Sequence, residues 1–331
     1  MFVRLTQQRL TTVCALALAA CAPATESDPL PSWNDGAART RIVEFVRQVT
    51  DSTLATFVPA PERIAVFDND GTLWAEQPIY FQLAFALDRV HTMAPEHPEW
   101  STQMPFSAIL GDDREALAAL TEHDIVEIVT VTHSGMTVDE FQTAVADWLA
   151  TARHPRFDQP YTALAYQPML ELLDYLRANG FKTFIVSGGG IDFMRVFAED
   201  VYGITSEQII GSMGKLLFEI RDGEPVLVKQ PGIDFIDDKE GKPIGIARII
   251  GRRPIAAFGN SDGDLAMLQY TAAGPGAQLL AYIHHDDADR EWAYDRESHI
   301  GRLDRGLDAA AERGWTVVSM KSDWRRVFGF E

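Results

Sequence analysis

Apolar positions along the chain recur with two different periods. In "ARTRIVEFVRQVTDS", residues 38–52, Ile42, Val43, Phe45, Val46 and Val49 fall at helical spacing and predict an amphipathic helix. "RIAVF", ending at Phe67, is a short continuous apolar run, as expected of a strand buried on both faces. From 77 to 164 the pattern is helical throughout. "IYFQLAFALDRV" is apolar on nearly all sides and "DREALAALTEHDIVEIVTV" is amphipathic, while Thr137-Val138-Asp139-Glu140 reads as a capping box opening a further helix. After Gln167 strands and helices alternate: a helix from Pro168 to before Gly180, the strand "FKTFIVS", a Gly-rich loop and helix, a hairpin "KLLFEIRDGEPVLVK" turning at Asp222-Gly223, a helix opening near Pro243, the strand "RPIAAFGN", and the helix "DLAMLQYTA". This order predicts an α/β fold, a parallel sheet with helices on both faces and a helical insertion at 77–164. Ligand sites in such sheets lie beyond the carboxyl ends of the strands, so Asp68, Ser187 and Asn260, each ending an apolar strand, should converge on one crevice.

Composition adds constraints. The 331 residues are 46% hydrophobic and 23% charged, ordinary globular values, but the formal net charge is −19. That excess repels nucleic acid and anionic membrane surfaces, so neither is an expected partner of the folded body. It also requires a site for an anionic substrate to carry its own local positive charge or metal.

The first 21 residues have the layout of a signal peptide: Arg4 and Arg9, then an apolar stretch too short to span a bilayer, then Cys21. Leu18-Ala19-Ala20-Cys21 resembles the bacterial lipobox, which implies lipid on Cys21 and an exported protein anchored on the periplasmic side of a bacterial envelope, touching membrane only through that lipid. Cys14 would leave with the leader, so the mature chain would hold no free thiol or disulfide. Residues 22–38, rich in Pro, Ser and Ala, are expected to form a tether.

Two aspartates in one loop repel unless a cation lies between them or they share a proton, and an oxygen-liganded Mg²⁺ would compensate that repulsion. Here "DNDGT" at 68–72 resembles the first motif of the haloacid dehalogenase superfamily, most of whose members transfer phosphoryl groups through an aspartyl-phosphate. Ser187 with its three following glycines is similar to the second motif, and Lys242 to the third. "GNSDGDLAM" at 259–267 is similar to the fourth, as the phosphoserine-phosphatase branch writes it. The resemblance implies a Rossmann-like core from 39–76 and 165–331 with a helical cap at 77–164.

Carried over residue by residue, the resemblance makes Asp68 the nucleophile and Asp70 the general acid and base. Ser187, the Gly188 amide and Lys242 would hold phosphate, with Lys239 a second candidate for the cation. Mg²⁺ would be held by Asp68, the Asp70 carbonyl, Asn260 and Asp264, with Asp262 the fallback. Asn260 departs from the motif, which has an aspartate there, and removes one negative charge from the metal site. Retention of Asp70 argues against an actual dehalogenase. The implied activity is Mg²⁺-dependent hydrolysis of a small phosphomonoester; a non-catalytic lipoprotein binding a phosphorylated ligand or envelope partner, and a phosphotransferase, are the alternatives.

His284 and His285 are adjacent, which in a strand sends them to opposite faces, and they are read as a polar loop rather than as ligands. Trp74, Tyr80, Phe81, Trp100 and Trp148 read as cap core, with Trp74 near enough to the catalytic loop to face a leaving group. Aromatics there would suit a cationic head such as phosphocholine.

Overall fold

A computed structural model of the chain describes residues 28–331. The expected leader and Cys21 lie outside the described residues. Of the expected tether, residues 28–36 pack on the body instead: Leu30 and Trp33 are buried, and the Trp33 indole donates to the Pro168 carbonyl at 2.9 Å and meets Trp324 edge to face at 6.1 Å. An apolar Leu and Trp within a Pro-rich stretch gain more from burial than a solvated linker would give them.

The eight strands are β1 (Ile64–Phe67), β2 (Lys182–Gly190), β3 (Ile209–Arg221), β4 (Glu224–Phe235), β5 (Ala256–Gly259), β6 (Leu279–Asp286), β7 (Ala293–Tyr294) and β8 (Thr316–Ser319). They form one sheet in the order β4-β3-β2-β1-β5-β6-β7, with β8 also pairing β6. β1 sits centrally, parallel to β2 and β5; β2–β3, β5–β6 and β6–β8 are parallel, and β3–β4 and β6–β7 antiparallel. The fold is therefore α/β with a mostly parallel central sheet.

The continuous apolar run of β1 divides by strand period. Ala65 and Phe67 join one core with the helices Ala37–Thr50 and Gln167–Ala178, while Ile64 and Val66 join a second core with the helices Gly241–Ile249 and Leu265–Ala272. Phe67 stacks on Phe258 of β5 at 4.6 Å, and burying each ring contributes roughly 1.5–3 kcal/mol.

Helices Phe81–Met93, Phe106–Leu110, Arg114–Ala118, Glu122–His133 and Val138–Thr151 lie between β1 and β2 with no strand among them. Ala86, Val90, Trp100, Phe106, Ile109 and Ile128 give part of this segment a core of its own. The Thr137 capping box is formed: its hydroxyl accepts from the Glu140 amide at 3.1 Å, and the Glu140 carboxylate accepts from the Thr137 amide at 2.7 Å. At the hairpin turn Asp222 and Gly223 have φ of 53° and 88°, the left-handed pair that suits a two-residue connection. Gly188–Gly190, expected as a loop, instead continue β2 through a break in register against β3. No helix among the described residues is long and apolar enough to cross a membrane.

The helix Gly241–Ile249 packs closely on the sheet: a Cβ at Gly245 would lie 2.4 Å from Asp237 Oδ1 and 2.8 Å from Ile210. Asp237 is fully buried and neither carboxylate oxygen has a well-formed hydrogen bond among the described residues. Burial pushes its pKa up to about 7, against the opposing pull of Lys242 and the Ser187 amide. A carboxyl whose folded pKa is raised contributes stability that is lost as pH climbs from its unfolded value, near 4, through 7. Asp237→Asn is therefore expected to stabilise the fold by about 1–3 kcal/mol at pH 8, with the gain shrinking toward pH 4, as denaturant unfolding at the two pH values will read.

Candidate active site

The first-motif loop is built by a backbone hub. The Asn69 carbonyl accepts from the amides of Thr72 and Leu73 at 3.1 and 2.8 Å, and its side-chain oxygen from the Tyr202 hydroxyl at 3.0 Å. Gly71 sits at φ 73°, where a Cβ would come within 2.1 Å of the Asn260 amide nitrogen and 2.5 Å of Glu76 Oε1. Only glycine fits both the backbone and the space. The Asp68 amide donates to the Phe258 carbonyl at 2.9 Å, continuing the β1–β5 pairing, so that Asp68 and Asn260 leave adjacent strands at the same end of the sheet.

Lys242, at the start of its helix, is buried and uses all three ammonium protons. It donates to Asp68 Oδ1 at 2.6 Å, to Asp264 Oδ1 at 2.6 Å and to the Val186 carbonyl at 2.9 Å. Burial opposes its charge, but Asp264 and Asp68 outweigh that and hold its pKa above the ordinary lysine value. Lys239 has φ 52°, is 65% exposed at its side chain and approaches only Asp238, so the cation within reach of Asp68 is Lys242.

Asp68, Asp70, Ser187, Gly188 and Lys242 line one cavity of about 470 Å³. Ser187 Oγ accepts from the Gly189 amide at 3.1 Å. Asp70 Oδ1 accepts from the Trp74 indole at 2.8 Å, and burial raises the Asp70 carboxyl to about 6. Asp68 is raised well above its ordinary value, first by burial and then by the neighbouring charge of Asp264.

Three residues of the expected metal set stand differently from their sequence reading. Asp264 has both oxygens engaged: Oδ1 with Lys242, and Oδ2 with the amides of Asn260 and Ser261 at 3.0 Å each. It closes the fourth-motif loop and orients Lys242 rather than facing the cavity. Asp262, the fallback, accepts from the amides of Asp304 and Gly306 at 3.0 and 2.8 Å and so serves the start of the helix Arg305–Arg313. Asn260 is buried; its oxygen accepts from the Thr72 hydroxyl at 3.1 Å and its amide nitrogen donates to Glu76 Oε1 at 2.7 Å.

Three buried carboxylates, Asp68, Glu76 and Asp264, and the half-buried Asp70 gather near the buried ammonium of Lys242, while the Lys229 ammonium is already paired with Asp192. The donors on hand are hard oxygens, which suit Mg²⁺, and the excess negative charge is what a divalent cation relieves. Asp68 and Asp70 line the cavity and are available to hold it, through a carboxylate and a main-chain carbonyl; Asn260 is not among the cavity walls. Among the described residues no three His, Cys, Asp or Glu side chains form a metal-binding group by themselves, so main-chain or other oxygens would have to complete a metal site.

Sequence reasoning missed several residues. Glu76 is 2% exposed and lines the cavity, accepting from the Tyr294 hydroxyl at 2.8 Å; burial drives its carboxyl up to about 8. Its signal was a lone acid directly after the apolar run Leu73-Trp74-Ala75. His285 lies inside β6, correcting the loop reading. Its Nε2 donates to the Gly71 carbonyl at 2.8 Å and its Nδ1 meets Glu291 at 3.0 Å, so it braces the first-motif loop from behind. His284 on the opposite face approaches Asp295 at 3.3 Å, and neither histidine lines the cavity.

On the cap side the cavity is walled by Leu83, Ile125, Val126, Val129 and Phe141, with Ile233 and Ile236 from the hairpin side. Its polar groups there are Tyr80, Gln82, Thr130, His133 and Ser134 from the cap, with Gln230 and the buried Lys229–Asp192 pair. Burial, then the positive charges of Lys229 and Arg89, pull His133 down to about 3, so it is neutral. Of the aromatics read as cap core, Tyr80 lines the cavity, whereas Trp74 is buried and stacks on Phe197 at 4.3 Å and Phe81, Trp100 and Trp148 are not cavity walls; the Phe141 ring, which does line it, already carries the Lys229 ammonium at 4.6 Å.

The chain is similar to a conserved functionally unknown protein from Anaerococcus prevotii DSM 20548, at 18% identity and TM-score 0.52 over 84% of this chain and 90% of that one. It is also similar to a protein with unknown function from Bordetella pertussis Tohama I, at 16% identity and TM-score 0.48 over 78% of this chain and 98% of that one. A phosphoserine phosphohydrolase-like protein from Francisella tularensis subsp. tularensis SCHU S4 is matched at 17% identity and TM-score 0.39, over 76% and 99% of the two chains. Comparison with curated protein sequences finds no match. Residues 65–269, which span the first motif through the fourth, match the haloacid dehalogenase-like hydrolase family, and the chain belongs to it.

Proposed function

We propose that the protein is a Mg²⁺-dependent phosphatase that hydrolyses small phosphomonoesters through an aspartyl-phosphate on Asp68. The observation that carries this reading is the meeting of Asp68, Asp70, Ser187 and Lys242 on one cavity at the carboxyl ends of β1 and β2. Lys242 holds Asp68 Oδ1, which leaves Oδ2 without a donor among the described residues and free to attack phosphorus. As the new P–O bond forms, the bond to the leaving oxygen breaks, and Asp70 gives that oxygen its proton. Asp70, now a carboxylate, takes a proton from the water that attacks the acyl-phosphate, and inorganic phosphate leaves with Asp68 regenerated. An Asp70 pKa near 6 suits a group that must be acid in one half-reaction and base in the next. Ser187 and the Gly188 amide would bind phosphate oxygens, and Lys242 would offset charge gathered in the transition state. Mg²⁺ held by Asp68 and the Asp70 carbonyl would lessen repulsion between carboxylate and phosphate.

The leaving group would occupy the cap-side chamber. Its walls mix apolar side chains with the neutral hydrogen-bonding groups of Tyr80, Gln82, Thr130 and Ser134, and its Lys229–Asp192 pair is self-neutralised, which favours a compact, uncharged alcohol over a cationic head. Cys21, on the sequence pattern alone, is proposed to anchor the enzyme by lipid at the periplasmic side of a bacterial envelope.

The full chain is expected to release nitrophenol from p-nitrophenyl phosphate only with Mg²⁺, and Asp68→Asn to abolish that release. Absence of turnover with every divalent metal would instead favour a protein that binds a phosphorylated ligand without cleaving it, for which the uncharged Asn260 is the specific observation. Product analysis with added alcohols separates hydrolysis from phosphotransfer. Asp70→Asn should cost about 10²–10⁴-fold in kcat for an alkyl phosphate, whose leaving group needs a proton, and far less for p-nitrophenyl phosphate. Replacement of Cys21 by Ser should move the protein from the membrane fraction to the soluble one on cell fractionation.

A further inference from the structure

The fourth motif has lost a negative charge at Asn260, yet the acid count of the site is not reduced. Glu76 stands six residues beyond Asp70, outside every motif, and its carboxylate sits where the Asn260 side chain ends: Asn260 Nδ2 donates to Glu76 Oε1 at 2.7 Å. The room for it is built. A Cβ at Gly71 would lie 2.5 Å from Glu76 Oε1 and one at Gly301 would lie 1.9 Å from it, and both glycines have positive φ, 73° and 65°. The Tyr294 hydroxyl fixes the same oxygen at 2.8 Å. The second oxygen, Oε2, takes no hydrogen bond among the described residues, although the residue is only 2% exposed. Glu76 lines the cavity beside Asp68 and Asp70, while Asn260 does not.

A carboxylate with one oxygen clamped and the other open to a cavity that Asp68 and Asp70 also line gathers negative charge that a cation would relieve. We propose that Glu76 supplies the metal-site carboxylate that the fourth motif lacks, so that the charge has moved from the loop after β5 to the segment after β1, and Asn260 acts as its positioning residue. This rests on the metal-dependent reading above. Asn260 donates its amide N–H to one Glu76 oxygen, and a neutral donor at that position is what a neighbouring carboxylate requires; an aspartate there would repel it.

The test is metal affinity, measured without substrate by the electron paramagnetic resonance signal of free Mn²⁺ on the full chain, with Mg²⁺ competition. The variants are Glu76→Gln, Asn260→Asp, both together, and Asp68→Asn; thermal unfolding in EDTA reports their folding. Glu76→Gln is expected to weaken Mn²⁺ binding about 10–100-fold, and the double variant to return to within about threefold of wild type, because an aspartate at 260 restores the charge. Asn260→Asp alone should unfold at lower temperature without metal, from two touching carboxylates, and bind Mn²⁺ more tightly than wild type. Wild-type affinity in Glu76→Gln, or a double variant as weak as the single one, overturns the inference while leaving the reading intact so long as Asp68→Asn still abolishes binding. Should Glu76→Gln not fold, unchanged affinity in Asn260→Asp overturns it equally. A wild-type chain that binds no Mn²⁺ removes the metal-dependent reading and the inference with it.

Discussion

One buried ammonium organises this site. Lys242 reaches from the start of its helix to a carboxylate after β1, the Val186 carbonyl within β2 and a carboxylate in the loop after β5, with three hydrogen bonds of 2.6 to 2.9 Å. Three strands that share no sequence neighbourhood are thereby held in register at their chemically active ends. The arrangement is stable only as a set. Removing the cation would leave two buried carboxylates unpaired, which typically costs about 3–5 kcal/mol. The same contact divides the two oxygens of Asp68, binding one and sparing the other, so a structural ion pair and the availability of a nucleophile are one geometric fact.

Much of this was legible in the sequence because it depends on local pattern. A continuous apolar run followed by Asp-Asn-Asp-Gly-Thr announces a buried strand and a tight loop, and Asp222-Gly223 between alternating stretches announces a hairpin. The choice between Lys239 and Lys242 was not legible. Both lie near a helix start, and only the left-handed backbone at Lys239, which turns its side chain to solvent, separates them. Nor could sequence spacing show that Asp264 spends its oxygens on Lys242 and its own loop, since that depends on how β5 and the helix Gly241–Ile249 approach each other.

The residues that escaped notice share a cause: each acts at long range from a position without a motif. Glu76 meets Asn260 and Tyr294 across 184 and 218 residues, and His285 meets Gly71 across 214. Such contacts are products of the sheet order, which brings β6 near β1 through β5. Local propensity carries no information about them. The glycine run after Ser187 failed in the opposite way: its flexibility suggested a loop, but pairing resumes with β3 at Gly190, and side chains satisfy the bulge between, the Gly189 amide donating to Ser187 Oγ, the Gly190 amide to Gln82 Oε1 and the Ser212 hydroxyl to the Gly188 carbonyl.

The hairpin of β3 and β4 is attached to the sheet at its base and runs outward, with Phe218 and Ile220 more than 60% exposed near its tip, while Lys229 from its return strand reaches the cavity. Its turn lies far from the first-motif loop in both sequence and bonding. The return strand is bonded to the cap, the Lys229 amide donating to the Met136 carbonyl and the Lys229 carbonyl accepting from the Gly135 amide, each at 2.9 Å, so hairpin and cap share one wall of the cavity. Substitutions at the exposed tip would leave that wall and the charged cluster around Lys242 in place, whereas substitutions near Lys229 would act on hairpin and cap together.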